Sequence, residues 1–352
     1  MQIEDIKQLA ASCGLVIKLR TANLDLWAST LMSCSYVPVA YTNASIEFQW
    51  TYQLGHGGDW HDLSFIIFLD NKPIAVWPLS LAKKDNKTIL NSHGLPMLPP
   101  LFLADCPISA CKRIIKNCLD FANKLATAND LSSWECMQLF NNTHGLSYWH
   151  AESMSRGATS IIYHEMFVDL SLSMQEIKGH FRKSYKSLIT EGTRLWDIGV
   201  LNTADESIWN EFRNLHYQVA GRTTRSEQTW RLHLKDIEMQ QAFLVYLRNR
   251  DGSMVGGGFF NFTRDEGLYA VAAYDRSLFD KPLGHVVQYR AIEELKNRGV
   301  RWYKIGVRSY RSENPPPSDK EVSISEFKQG FASHLFPRIA LHYPIKQKEL
   351  LA

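Results

Sequence analysis

Three groups of polar side chains in the C-terminal half have types and spacing suited to chemistry. Tyr274-Asp275-Arg276 closes an apolar, β-rich run over 268–274, and strand ends are where α/β sheets gather functional groups. A tyrosine hydroxyl there can donate to a leaving group or a carbonyl, and a carboxylate can orient a base or hold an amine. The same Asp-Arg pair also suits a turn that satisfies its own backbone. Next, Lys281-Pro282-Leu283-Gly284-His285 leads into a helical pattern. Gly284 permits close backbone approach to a ligand, and a helix N-terminus favours the neutral imidazole that a general base needs. The alternative is that Pro282 and Gly284 only shape the connection while His285 caps the helix or packs against Tyr289. In the third group, His216-Tyr217 is followed by Gly221-Arg222-Thr223-Thr224-Arg225. Two arginines beside a glycine make a fork for a carboxylate or phosphate, or else a solvated turn between helices. Arg308, Tyr310 and Arg311 trail another short strand, Trp302 to Gly306. They face the same side as Asp275 if the two strands are parallel neighbours.

Other motifs carry less. His56-Gly57-Gly58-Asp59-Trp60-His61-Asp62 is rich in metal-ligand atoms, but its histidines fit no helical metal spacing, and a loop lining an interdomain cleft is the better reading. Gly256-Gly257-Gly258 lies in a hairpin with neither phosphate-loop context; it reads as close backbone packing beneath a ligand. No G-x-S-x-G is present, and the six cysteines, all within the first 136 residues, show no C-x-x-C and no regular spacing with histidines. A disulfide framework, a zinc knuckle and a metal site are therefore not expected.

The elements that must position these groups repeat. Residues 63–81 read as two β-rich runs around Asp70-Asn71-Lys72-Pro73, and 242–262 as two more around Arg250-Asp251-Gly252, with a third strand at once behind. A helical stretch and a short strand follow each hairpin: Ile108–Ala128 then 134–139, and 285–298 then 302–305. Helical pattern precedes each, clearest over 207–219 and 226–239. Two copies of α, α, β, β, β, α, β point to tandem α/β domains. Between them Ser173-x-x-Glu176 forms a capping box, and Met174, Ile177, Phe181, Tyr185 and Leu188 recur at helical spacing, which predicts one amphipathic helix stopping at Gly192. Lys178, Arg182 and Lys186 would line one face of it.

Composition sets the limits. The 352 residues are 45% hydrophobic and 12% aromatic, with 10 Trp, far from a disordered profile. Lys and Arg number 39 against 36 Asp and Glu, so no broad field drives binding to nucleic acid or anionic membrane. The N-terminus does not read as a signal peptide, and no spanning helix is expected. A cytoplasmic location is the expectation.

The strand entering AAYDRS, then KPLGH, GVRWYKIG and SISEFKQGF with Pro337-Arg338, together with VDLS…FRKSYKSLI, resembles the FemAB-like branch of the GNAT acyltransferases. The resemblance spans about 166–341. It implies an α/β (α+β) fold of two tandem GNAT-like domains, each a mixed central sheet flanked by helices: 1–155, a connecting strand and helix over 156–195, and 196–352 holding the donor site. It further implies an N-acyltransferase with acyl-CoA as co-substrate and no permanently bound cofactor. The acceptor it implies is an amine of an amino sugar or of a peptidoglycan or surface-glycan precursor, in cell-envelope assembly. On this reading His285, Asp275 and Tyr274 are catalytic, and Gly284, Leu283, Ala273 and Arg276 bind the donor. His216, Arg222, Arg225, Arg308 and Tyr310 bind the acceptor. The GNAT phosphate signature Q/R-x-x-G-x-G/A is replaced here by Lys281 to His285. Aminoacyl-tRNA-dependent transfer is the alternative, though the long coiled coil of many tRNA-using relatives is missing; a non-catalytic glycan- or protein-binding module is another. Nucleic acid enters only under the tRNA alternative.

Overall fold

Local sequence explains the hairpins on which both halves are built. Asp70 and Asn71 take φ 49° and 61°, the left-handed values that Asp and Asn tolerate in tight turns. In the second hairpin Gly252 takes φ 88°, and Ser253 N–H donates to the side chains of Asn249 (3.0 Å) and Asp251 (2.8 Å). The computed structural model describes residues 3–85, 87–138 and 146–345, and the chain divides into Met1–Ile162 with Arg338–Ala352, and Tyr163–Pro337.

The first unit contains α1 (Ile3–Ser12), β1 (Val16–Leu19), α2 (Leu24–Met32), α3 (Asn43–Leu54), β2 (Asp59–Asp62), β3 (Phe65–Leu69) and β4 (Lys72–Trp77). It continues with β5 (Ser80–Lys84), β6 (Lys87–Asn91), β7 (Leu101–Phe102), α4 (Ile108–Ala128), β8 (Ser133–Gln138) and α5 (Tyr148–Ser155). Its main sheet is ordered β1-β3-β4-β7, with β2-β5-β6 as a small second sheet. The apolar stripe of α4 buries Ile114, Cys118, Phe121 and Leu125 on this sheet, with Phe121 edge-on to Phe65 at 5.5 Å. Leu139, which the sequence pattern adds to β8, lies outside the described residues.

The chain enters the second unit within β9 (Thr159–Asp169). There follow α6 (Met174–His180), α7 (Lys183–Leu195), β10 (Asp197–Leu201), α8 (Glu206–Ala220), α9 (Glu227–Glu238), β11 (Ala242–Arg248) and β12 (Met254–Phe262). Then come β13 (Glu266–Tyr274), α10 (Leu283–Asn297), β14 (Trp302–Arg308), α11 (Asp319–Gln329) and β15 (His334–Pro344). The order β10-β11-β12-β13-β14-β9 is antiparallel except between β13 and β14. Two helices between the first strand and the hairpin, then a third strand beside it, a helix and a strand, recur in the first unit, which adds β2, β5 and β6 and has the two-residue β7 as its third strand. The tandem expectation therefore holds.

Four local expectations are corrected. The connecting segment is not separate: from Tyr163 it belongs to the second unit, because β9 pairs with β14 along Trp302–Arg308. Residues from Arg338 return to the first unit, where Ile339–Pro344 pair with β8. The amphipathic helix is two helices. The capping box of Ser173 and Glu176 starts α6, but Phe181 is extended and Arg182 N–H donates to Gly330 carbonyl (2.8 Å) instead of continuing the helix. That break turns Phe181 and Tyr185 onto Phe331, at 5.3 and 4.8 Å between rings. Gly192 does not stop α7. It is where α7 meets the start of α10, since a Cβ there would lie 2.3 Å from Val286 Cγ2 and 2.9 Å from Pro282 carbonyl oxygen.

Candidate active site

The opening in the second unit's sheet comes from β13 and β14, which pair only from Glu266, Gly267 and Leu268 to Trp302, Tyr303 and Lys304. Beyond that point β13 stays with β12 to Tyr274, while β14 follows β9 through an irregularity between Lys304 and Gly306, where Gly306 takes φ 147°. The strands part, and the start of α10 stands at their mouth, with Gly284 near Tyr274. The N-cap Pro282 supplies no side-chain hydrogen bond, and Leu283 N–H donates to the Lys281 carbonyl (2.9 Å), so the partial positive charge of this helix start rests on the amides that follow.

The last turn of α11 enters this opening. Phe327 lies edge-on to His285 at 5.1 Å, and its Cζ is 3.0 Å from where a Gly284 Cβ would be. Lys328 Nζ lies 5.2 Å from the Tyr269 ring centroid and close against Gly306. Among the described residues the ammonium has no ion pair or hydrogen bond, and burial pulls its pKa below the usual lysine range. Sequence reasoning missed this residue. Its one signal was membership of SISEFKQGF.

Tyrosines line the same opening. Tyr274 and Tyr269 share a hydrogen bond of 3.0 Å, and Tyr303 donates to Gln288 at 2.6 Å. Burial pushes Tyr269 up to about 12 and Tyr274 and Tyr303 well above the ordinary tyrosine value, so all three are protonated at neutral pH, with the Tyr303 hydrogen committed to Gln288 and one of the Tyr269–Tyr274 pair's two hydrogens used between them. The other donor-side residues are structural. Ala273 and Leu283 are buried in the core. Asp275 accepts from both the N–H (2.9 Å) and the hydroxyl (2.8 Å) of Ser277, the self-satisfying turn, and Arg276 is exposed.

His285 needs a correction. It is near the start of α10 as expected, yet Tyr185 (4.5 Å), Phe327 and Phe331 (6.2 Å) surround the ring, and neither nitrogen makes a hydrogen bond among the described residues. It does not pack on Tyr289, whose ring lies under Lys178. Burial and then the charge of Arg182 pull the imidazole down to about 4. Neutrality is secured, but the lowered basicity and the aromatic surround make His285 a poor acceptor for the proton of an attacking amine.

Of the residues expected to bind the acceptor, α8 and the turn into α9 bring His216 and Arg225 together. The Arg225 guanidinium stacks 4.9 Å from the Trp230 ring and approaches His233 Nε2 at 3.5 Å. His216 is edge-on to the same ring at 5.1 Å and is pulled down to about 4 by burial, then by Arg225. Thr224 Oγ1 is buried with no hydrogen-bond partner. Arg222 is exposed, outside this group. Arg308 does not stand free at the strand end: its donors go to Gln329 (2.7 Å), Ser325 (2.9 Å), Ser309 carbonyl and Glu326 (3.3 Å), which clamps α11 to β14. Tyr310 packs on Arg308 and His164, and Arg311 pairs with Asp319.

The hollows of the glycine run are filled by the protein itself, Gly256 by Tyr274, Gly257 by Phe212 and Gly258 by Val287. The basic stripe is also divided, since Arg182 turns to Glu326 carbonyl and Tyr185 while Lys178 covers Tyr289. Among the described residues no cluster of three or more His, Cys, Asp or Glu side chains is arranged to hold a metal. No helix among them is long and apolar enough to cross a membrane.

No protein-family model matches the sequence, and no curated protein does. Solved structures do. FemX superposes with a TM-score of 0.68 at 14% identity, over 91% of this chain and 95% of its own. The chain has a tandem GNAT fold. The tandem GNAT protein from the clavulanic acid biosynthesis pathway (TM-score 0.50, 11% identity, 95% and 99% covered) shares this fold. So does the C-terminal domain of a putative lysylphosphatidylglycerol synthetase from Agrobacterium fabrum (0.56, 12%, 92% and 92%).

Proposed function

We propose that this GNAT-fold chain is an N-acyltransferase whose donor lies in the opening between β13 and β14. The observation that carries the reading is Lys328, a partly buried ammonium without an ion pair in the gap between two parting strands. Acyl transfer to an amine needs a polarised carbonyl and two reactants held together, and fixed donors supply most of the acceleration. Lys328 donates to the carbonyl oxygen as the amine nitrogen attacks, stabilising the oxyanion. The bond to the leaving group then breaks, and Tyr274, kept protonated by burial, donates to the departing atom. The amine's proton leaves to solvent, not to His285. Arg225, Thr224 and His216 bind an acidic or carbonyl-rich part of the acceptor.

The finer reading is an acyl-CoA thioester donor and an amine of an amino sugar or of a peptidoglycan or surface-glycan precursor. Aminoacyl-tRNA is the rival donor, favoured by the Phe327 ring against Gly284, which occupies one side of the usual phosphate approach. The test is thiol release from a panel of acyl-CoA esters, in parallel with aminoacyl transfer from charged tRNA, each with amino-sugar and peptidoglycan-precursor acceptors. Thiol release dependent on acceptor supports the thioester, and aminoacyl transfer alone selects the rival. A chain that transfers from neither yet binds the glycan is a binding module, which overturns the enzyme reading.

A further inference from the structure

The junction from β7 to α4 is the first unit's counterpart of the donor junction from β13 to α10, and the two open on the same pattern. Asp105-Cys106-Pro107-Ile108 starts α4 as Asp280-Lys281-Pro282-Leu283 starts α10, with proline as the N-cap of both. Where α10 continues with Gly284, His285 and Val286, α4 has Ser109, Ala110 and Cys111. Cys106 and Cys111 thus stand just before the cap and four residues into the helix, the two positions whose side chains meet in a hydrophobic staple. Here the staple is a pair of thiols. Cys111 Sγ donates to the Cys106 carbonyl at 3.7 Å, and both residues are half-buried. Burial first, then a hydrogen bond with the Cys106 thiol and that sulfur's charge, push the Cys111 thiol up to about 12. Of the other four cysteines, Cys34, Cys118 and Cys136 are buried.

We propose that Cys106 and Cys111 are an oxidisable dithiol that a disulfide oxidant such as glutathione disulfide converts into a bridge across the first turn of α4. The Cys106 thiolate attacks one sulfur of the oxidant and releases one glutathione thiolate. Cys111 then attacks the Cys106 sulfur of the mixed disulfide and releases the second, so the protein loses two electrons and two protons, and glutathione disulfide is reduced to two thiols. In the mixed disulfide the Cys106 charge is gone and its thiol no longer holds the Cys111 proton, so two of the three influences that keep Cys111 protonated disappear. The Cys111 sulfur already lies 3.7 Å from the carbonyl oxygen of Cys106, on the residue whose thiol it would join.

The test is glutathione disulfide treatment of the folded full-length chain, then alkylation, intact mass and peptide mapping. The expected product is lighter by about 2 Da, the two hydrogens lost in disulfide formation, with a cross-link between Cys106 and Cys111 that dithiothreitol reverses. Cys106→Ser should abolish it, and Cys111→Ser should stop at a glutathione adduct on Cys106. The wild-type map needs no variant to fold. A bridge between Cys13 and Cys118, a stable glutathione adduct on wild-type Cys106, or no loss of mass would each overturn the proposal.

Discussion

Replacing Lys328 with methionine separates a catalytic ammonium from a structural one. The side chains are similar in length and volume, so repacking costs little. What the folded state loses is the cation over Tyr269 at 5.2 Å, worth about 0.5–1 kcal/mol. What it regains is the cost of holding an unpaired ammonium out of water, the effect that lowers the Lys328 pKa and that outweighs a single weak contact. The expected unfolding free energy is therefore unchanged or higher by up to about 1 kcal/mol. Activity should move the other way, because removing one oxyanion donor lowers kcat by about 10²–10³. The assay is initial-rate product formation at saturating donor, beside urea unfolding of the same preparations. The pH profile supplies an independent check. If the cation is the working form, activity falls on the alkaline side, and at lower pH than an ordinary lysine allows, because burial favours the neutral amine. The reasoning is refuted if Lys328→Met keeps kcat within about threefold, a small part of the effect of one lost donor, or if activity falls only as the folded fraction falls. It is also refuted if activity rises as Lys328 loses its proton, since the free amine would then be acting as a base.

Further expectations follow from particular contacts. His285→Ala should lower kcat by less than about tenfold, under the roughly 10²–10⁴ typical of a lost acid–base group; a larger loss with unchanged stability would restore the base assignment. The folded-state pKa of His285, down to about 4, lies below its ordinary 6.5. The unfolded chain therefore binds the proton first, and stability is lost as pH falls from about 6.5 towards 4. His285→Phe should flatten that limb by about 1–2 kcal/mol in urea titrations at pH 7 and 4.5, a figure reduced for partial solvation, and an unaltered pH slope would refute it. Gly192→Ala should destabilise by about 1–2 kcal/mol, because overpacking against Val286 and Pro282 exceeds the roughly 1 kcal/mol of helix propensity gained; a raised urea midpoint would contradict the contact. Arg225→Lys, which keeps charge but loses the fork, should raise the acceptor KM about tenfold with kcat retained, and Arg222→Lys should leave both unchanged.

What could be read from sequence was whatever depends on neighbours along the chain. Asp70-Asn71 and Asp251-Gly252 state their turns locally, Ser173 and Glu176 state a helix start, and together they reveal the repeated element order. The break at Phe181 was not readable, because its cause is a hydrogen bond from Arg182 N–H to Gly330 carbonyl, far along the chain. His285 shows the same division. Its place on α10 follows from the Pro-Leu-Gly before it, but its basicity is set by Tyr185, Phe327 and Phe331, which no local pattern brings to it. Arg308 looked like a free strand-end arginine and is bound by four partners on or beside α11.

That binding bears on the site itself. The clamp from Arg308 to Gln329, Ser325 and Glu326 holds the last turns of α11 against β14, and those turns carry Phe327 and Lys328 into the gap where β14 leaves β13. The residue expected to touch the acceptor therefore holds the helix turn that carries Lys328, the ammonium proposed to face the donor. The helix start at α10 and the lysine on α11 are brought to one opening by separate causes, a proline-capped connection and a buried guanidinium network. The first unit repeats only the former cause: α4 keeps the proline cap but has Ser109 and Ala110 where α10 has Gly284 and His285. This is a physical ground for assigning the donor to the second unit.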